Sequence, residues 1–61
     1  MQLRAILERL DHEIEMELIV SEGREIVADC TDWNEIRMYE DHNVLEISTD
    51  EKGTLIITVA N

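Results

Sequence analysis

The chain is poor in the residues that interrupt or cross-link small proteins. It has no proline, and its only two glycines are Gly23 and Gly53. Because both glycines fall in predicted hairpin turns, the sequence shows no linker and no low-complexity tail, and we expect one acidic domain spanning residues 1–61. The single cysteine, Cys30, excludes an internal disulfide, and no four-ligand zinc cluster is visible. A chain of this size buries only about 60% of its unfolded surface, so the predicted domain is marginally stable.

Long apolar runs are also missing. No segment has the length of a membrane span or the pattern of a secretory signal, so we expect a protein that is neither targeted nor inserted. A lone cysteine is compatible with a reducing compartment, and we predict a cytoplasmic location. Hydrophobic residues still make up 44% of the chain, which argues against disorder.

Basic residues are scarce, with five Lys and Arg against fifteen Asp and Glu, and the formal net charge is −10. Most of the acids lie between Asp11 and Glu51. Because phosphate affinity depends on basic groups, the sequence disfavours direct binding to DNA, RNA or an anionic membrane. A basic protein surface or a metal ion is favoured as a partner. The alternative is that the acidic surface only keeps a small protein soluble.

Two hairpin patterns dominate the sequence. In the first, alternating apolar residues flank a predicted three-residue turn, Ser21–Gly23. Glycine in the last turn position can take the left-handed conformation that a type I turn with a G1 bulge requires. This loop length predicts that three apolar pairs share one buried face: Leu18–Ile26, Met16–Ala28 and Ile14–Cys30.

The second hairpin has the same pattern of alternating apolar residues around a three-residue turn, Glu51–Gly53. A slip of one residue would move every apolar side chain to the other face, so the loop length fixes the register. The two hairpins together predict a small, mostly antiparallel sheet with one buried face and one anionic face, while the order of the hairpins stays open. The predicted pairs of the second hairpin are Thr49–Leu55, Ile47–Ile57 and Leu45–Val59.

The first ten residues predict an amphipathic helix. Its apolar residues recur at i, i+3, i+4 and i+7, at Leu3, Ile6, Leu7 and Leu10. So short a helix needs the apolar face of the sheet to dock on, although a partner-binding helix is the alternative.

The segment between the hairpins is ambiguous. Asp32 lies three residues before Glu35, a spacing typical of a capping box, and Trp33, Ile36 and Tyr39 recur every three residues. We predict a helical turn over 33–39, with a strand as the alternative. The fold prediction is therefore α+β: an N-terminal amphipathic helix on a sheet of two β-hairpins joined by a short helical connector.

Motifs for catalysis or metal binding are absent. His12, Cys30 and His42 have neither CxxC nor HExxH spacing, and no glycine-rich loop could hold a phosphate. Cys30 is predicted to be a small buried thiol, with zinc binding and a Cys–His nucleophile as minor alternatives. Carboxylates are too abundant to mark an acid–base pair. We expect no enzyme and no cofactor.

The outward face of the sheet is the predicted functional surface. Alternation places Glu17 opposite Val27 and Glu15 opposite Asp29, and carboxylates facing each other across two strands repel. Trp33 either covers the edge of the core or anchors a protein contact. The predicted partner-binding residues are Glu13, Glu15, Glu17, Glu25, Asp29, Glu46 and Trp33.

Two other interpretations of this face stay open. The apolar residues Ile19, Val27 and Ile56 would suit self-association, including a homodimer. A solvated face is equally normal for an antiparallel sheet.

The closing residues Val44-Leu45-Glu46-Ile47-Ser48 and Gly53–Val59 resemble small uncharacterised proteins of bacteriophages and prophages. Many of those end on a V-x-x-I-S … G-T-L-x-I-x-V hairpin, and the resemblance extends over most of the chain. It implies a phage accessory protein with no catalytic residue. Such proteins often bind and block a host protein, and an acidic face would suit mimicry of nucleic-acid charge.

The predicted function is therefore a non-enzymatic acidic binding module, a phage-type inhibitor that occupies a basic, nucleic-acid-binding surface of a host protein. The alternative is a homo-oligomeric structural or small-ligand-sequestering protein, assembled through the sheet face or an edge strand.

Overall fold

The structure, a computed structural model of residues Met1–Asn61, is an α+β fold built on one four-stranded mixed sheet. The strand order is β2-β1-β4-β3, in which both outer pairs are antiparallel hairpins and the central pair, β1 with β4, is parallel. Neither helix is long and apolar enough to cross a membrane. The elements are α1 (Leu3–Leu7), β1 (Met16–Glu22), β2 (Glu25–Cys30), α2 (Trp33–Ile36) with a following 3-10 turn (Arg37–Tyr39), β3 (Val44–Thr49) and β4 (Leu55–Ala60).

One face of the sheet is buried beneath the helices. The predicted stripe of α1 is confirmed: Leu3 and Leu7 are buried, and Ile6 and Leu10 pack against the same cluster. The connector adds Ile36, which is fully buried. The opposite face of the sheet has no helix over it. The nine buried residues are all apolar: Leu3, Leu7, Met16, Leu18, Val20, Cys30, Ile36, Ile57 and Val59.

The predicted register of the first hairpin is wrong. Glu22 lies opposite Glu25, so the loop has two residues, and Gly23 occupies its first central position with φ +63°. A glycine with positive φ at that position is typical of a type II′ turn, whose twist matches that of the flanking strands. The sequence suggested the three-residue loop because the same glycine satisfies both turn types.

Farther from the turn, a β-bulge returns Ala28 and Cys30 of β2 to the buried face, where they were predicted to lie. The register shifts between Val20 and Ser21, so that Val27 is the extra residue of β2. Beyond it, Leu18 pairs with Cys30, as Val20 does with Ala28. Nearer the turn, Ile26 pairs with Ser21 and is 65% exposed, so its predicted place in the core is wrong.

The start of β1 also differs from the prediction. The Asp11 carbonyl accepts a hydrogen bond from the Ile14 amide at 3.1 Å, and the Asp11 carboxylate accepts one from the Glu13 amide at 3.0 Å. This turn delays the strand until Met16. Ile14 is therefore 39% exposed. The predicted pairs Ile14–Cys30 and Met16–Ala28 are also wrong, because the observed register places Cys30 opposite Leu18 and Ala28 opposite Val20.

The second hairpin matches its prediction at the turn. Asp50 and Thr54 flank the loop Glu51–Gly53, Gly53 has φ +85°, and its amide donates to the Asp50 carbonyl at 3.2 Å. The Asp50 carboxylate also accepts from the Lys52 and Thr54 amides at 2.8 and 2.9 Å. These contacts fix the loop in the predicted conformation.

The pairs nearest that turn are confirmed, whereas the farthest one is not. Thr49 lies opposite Leu55, and Ile47 opposite Ile57. A register shift makes Leu45 the extra residue, so Val44 takes the predicted place of Leu45 opposite Val59. Leu45 is left 60% exposed.

The helical prediction for residues 33–39 is confirmed, and the strand alternative is wrong. The Asp32 carboxylate caps α2 by accepting from the Asn34 amide at 2.9 Å. The connector runs from one edge strand, β2, to the other, β3. Its end is tied to the N-terminus, because the amides of Leu3 and Val44 donate to the carbonyls of His42 and Met1.

We predict that Gly23→Val and Gly53→Val each destabilise the fold by about 1–3 kcal/mol. A Cβ at either glycine meets nothing within 4 Å, so the cost comes from positive φ and not from a clash. Urea unfolding measures the difference. Asparagine tolerates the left-handed region, so Gly53→Asn is the matched control and should lose much less stability than Gly53→Val. Parent-like unfolding of both valine variants would contradict the assigned turns.

Candidate functional site

The uncovered face of the sheet carries a pair of interacting carboxyl groups. On β1, Glu17 is half-buried and lies beside Ile56, and Asp29 of β2 lies opposite Ile19. Glu17 and Asp29 are thus diagonal neighbours on one face. A hydrogen bond with Asp29 raises the pKa of Glu17, and repulsion from Asp29, desolvation and the more distant Asp50 raise it further. The Glu17 carboxyl group therefore binds a proton more readily than it would without Asp29 beside it.

No cation of the chain neutralises this pair. The ion pairs of the structure are Arg4 with Glu40 at 3.4 Å and His42 with Asp41 at 3.9 Å. Both belong to α1 and the connector, not to the strands. The open face therefore retains the unfavourable interaction between Glu17 and Asp29.

The remaining strand residues of the predicted site are more dispersed. Glu46 is exposed and lies opposite Thr58, on the same face as Glu17, whereas Glu25 sits at the hairpin turn opposite Glu22. The predicted facing pairs Glu15–Asp29 and Glu17–Val27 are wrong, because the later turn and the bulge together shift β2 by four residues against β1.

The residues predicted for self-association lie around the acidic pair. Ile19 and Ile56 are half-buried on the open face, and Val27, the bulge residue, is 47% exposed. Alternation along the sequence did not predict that Ile26 lies on this face, where the two-residue turn places it. It also did not predict that Asp50 helps to raise the pKa of Glu17. The Gly23-Arg24 dipeptide was the only local signal for that turn.

Glu13, Glu15 and Trp33 lie together at the start of β1. All three line a pocket of about 390 Å³ at the start of β1. Trp33 is half-buried and packs against the core, and its ring meets that of His12 edge-on, with centroids 5.2 Å apart. The predicted site is thus two sites, and Trp33 both covers the edge of the core and lines a pocket.

A second depression of about 290 Å³ lies on the other side of the His12–Trp33 contact. It combines Arg4 and Arg37 with Glu8 and Glu40, so its formal charges balance. The Arg37 guanidinium donates to Nε2 of His12 at 3.0 Å, and since arginine only donates, that nitrogen is the acceptor.

The residues considered for metal binding do not converge. Cys30 is buried, and burial together with the nearby Glu35 carboxylate raises the pKa of its thiol, which disfavours the reactive thiolate. His42 instead uses Nδ1 to contact the Ala60 carbonyl at 2.6 Å. No group of three His, Cys, Asp or Glu side chains is placed to hold a metal ion.

Comparison with known proteins gives no relative: no family model, curated protein or solved structure matches the chain. The likeness to phage proteins therefore depends on the hairpin residues alone.

We predict that Glu17→Gln stabilises the protein near neutral pH. A raised pKa means that the folded state holds the proton more tightly than the unfolded chain does. Stability from this site is thus fully present below the ordinary value of 4.5 and is lost as pH rises through the raised value. Glutamine keeps a donor for Asp29 without the charge.

Thermal melts over a pH series measure this difference. The advantage of Glu17→Gln should shrink below pH 4.5, and Asp29→Asn should add little to it because the repulsion is already gone. Glu46→Gln is the matched control, since it removes a carboxylate that faces Thr58. A glutamine variant less stable than the parent near neutral pH would refute the repulsive pair.

Proposed function

We propose that this chain is a non-enzymatic acidic binding module whose open sheet face docks on a basic surface of a protein partner. The observation that carries the proposal is the Glu17–Asp29 pair, two carboxyl groups held together on a face that no helix covers. The repulsion lowers the stability of the free protein. Lysine or arginine side chains of a partner would relieve it on binding.

The apolar surroundings of the pair support the same conclusion. Ile19 and Ile56 flank Glu17 and are only half-buried, so they can supply contact area as water is displaced. Interfaces commonly combine an apolar centre with a charged, solvated rim. The carboxylates would raise the rate of association, and the isoleucines would stabilise the complex by burying apolar surface.

The finer proposal is a phage-type inhibitor that occupies a nucleic-acid-binding surface of a host protein. Surfaces that bind phosphates present clusters of lysine and arginine, and a net charge of −10 attracts such clusters. The hairpin resemblance supports a phage origin. An inhibitor of this kind would compete directly with nucleic acid for the host protein.

We predict that removing the charges of the open face slows association with the partner about tenfold and flattens its salt dependence. The face variant combines Glu17→Gln, Asp29→Asn and Glu46→Gln, which preserve side-chain shape. A partner captured from a host lysate by the parent chain is purified, and its binding rates are then measured in a salt series. A DNA or RNA oligonucleotide should displace the parent chain from that partner.

The matched control removes three charges from the helical layer, through Glu8→Gln, Glu35→Gln and Asp41→Asn. It has the same net charge as the face variant but leaves the open face intact, so its association rate should stay closer to that of the parent. Unaltered affinity and salt slope in the face variant would show that the face is only solvated. If the partner binds the parent chain but nucleic acid does not displace it, the chain is still a binding module. The proposal that it occupies a nucleic-acid-binding surface would then be wrong.

Self-assembly into a structural or ligand-sequestering oligomer is the second candidate function. The observation in its favour is the apolar surface near the turn of β2, where Ile26 is 65% and Val27 47% exposed. A two-fold interface through the open face, however, would place the same acidic patch on both partners. The charge of the face therefore opposes the assembly that its isoleucines favour.

We predict that the double variant Ile19→Lys, Ile56→Lys folds as the parent does and is monomeric. Light scattering over a concentration series compares the two proteins, in low and in high salt. If the parent forms a dimer that the lysines abolish, the open face is a self-association surface. A dimer that persists in the double variant would assign the interface to an edge strand or to the connector.

A further inference from the structure

The pocket at the start of β1 combines three kinds of surface. Trp33 forms an aromatic wall, Ile14 and Met16 form an apolar one, and Glu13 and Glu15 supply carboxylates. Its volume of about 390 Å³ is large enough to receive one long side chain. The other lining residues are His12, Thr31 and Thr54.

The chain itself leaves these groups unused. The turn held by Asp11 keeps Ile14 out of the core, so 39% of this large apolar residue is exposed at the pocket. The side chains of Glu13 and Glu15 are exposed and enter none of the hydrogen bonds or ion pairs of the structure. Apolar and anionic surface are therefore both available to one ligand.

We propose that this pocket receives an arginine side chain of the basic partner, an inference that rests on the proposed function. An arginine pairs an apolar methylene stem with a planar cation, which matches the apolar wall and the carboxylates respectively. Guanidinium groups also bind favourably over tryptophan rings. The net charge of −10 favours a cationic occupant over an anionic or neutral one.

The neighbouring depression is unsuited to the same ligand. Arg4 and Arg37 line it, and Arg37 holds His12 by a hydrogen bond of 3.0 Å. Its two carboxylates are already matched by these two guanidinium groups, so a third guanidinium would meet no excess of negative charge there. Trp33 thus has a charge-balanced environment on one side and an anionic one on the other, which assigns the cationic occupant to the side of Glu13 and Glu15.

The test uses N-acetyl-arginine amide as the probe. Because Trp33 is the only tryptophan, its fluorescence reports on the pocket directly. We expect saturable binding by the arginine probe, weaker binding by N-acetyl-lysine amide, and none by N-acetyl-citrulline amide, which keeps the shape without the charge. The double variant Glu13→Gln, Glu15→Gln should weaken the arginine probe about tenfold.

The matched control is Glu22→Gln, Asp41→Asn, which removes two carboxylates that do not line the pocket and lie near the opposite end of the sheet. It should bind the probe within about twofold of the parent, since distant charges are screened by salt. Equal weakening by both variants would reduce the effect to overall charge and overturn the proposal. Equal binding of citrulline, or an unchanged Trp33 signal, would overturn it too.

These outcomes are separable from those for the open face. A probe that fails to bind, together with a face variant that loses its partner, would reject the arginine pocket and leave the binding module standing. A probe that binds, together with a face variant that keeps its partner, would reject the open face and retain the pocket.

Discussion

The parallel pairing of β1 with β4 is the contact on which the rest of the structure depends. Each hairpin alone would be marginal in water, and this pairing joins them into a sheet wide enough to bury one face. Five of the nine buried residues belong to these two strands. A parallel pair needs a crossover of about a dozen residues or more, and the connector supplies it by running from one edge strand to the other. The buried Ile36 holds that crossover against the sheet.

Local signals explain what could be predicted from the sequence. The second hairpin was predictable at its turn because Asp50 and Gly53 allow one loop, and α1 was predictable from its apolar stripe. The first hairpin was not, since Gly23 fits a two-residue and a three-residue loop equally well. The strand order depends on contacts between distant segments, which leave no local pattern.

The candidate site, too, could be predicted only in part. Glu17 and Asp29 were placed correctly on one face, because the bulge at Val27 compensates for the loop that is shorter by one residue. Their diagonal contact was missed. The grouping of Glu13 and Glu15 with Trp33 depends on the Asp11 turn, which ends the alternation before β1 begins. Capping by an aspartate side chain competes with strand extension, and alternation alone does not reveal which wins.

The two register shifts fall on the two edge strands of the sheet, β2 and β3. Edge strands present unpaired amides and carbonyls to which strands of other molecules can add, and apolar side chains make such addition more favourable. Both edges carry exposed apolar residues, Ile26 on β2 and Ile47 on β3. A bulge interrupts the regular spacing that a new strand would need, and Met1 already occupies the Val44 amide at the start of β3. The irregularities that defeat a simple register prediction thus also protect this small sheet from growing into fibrils.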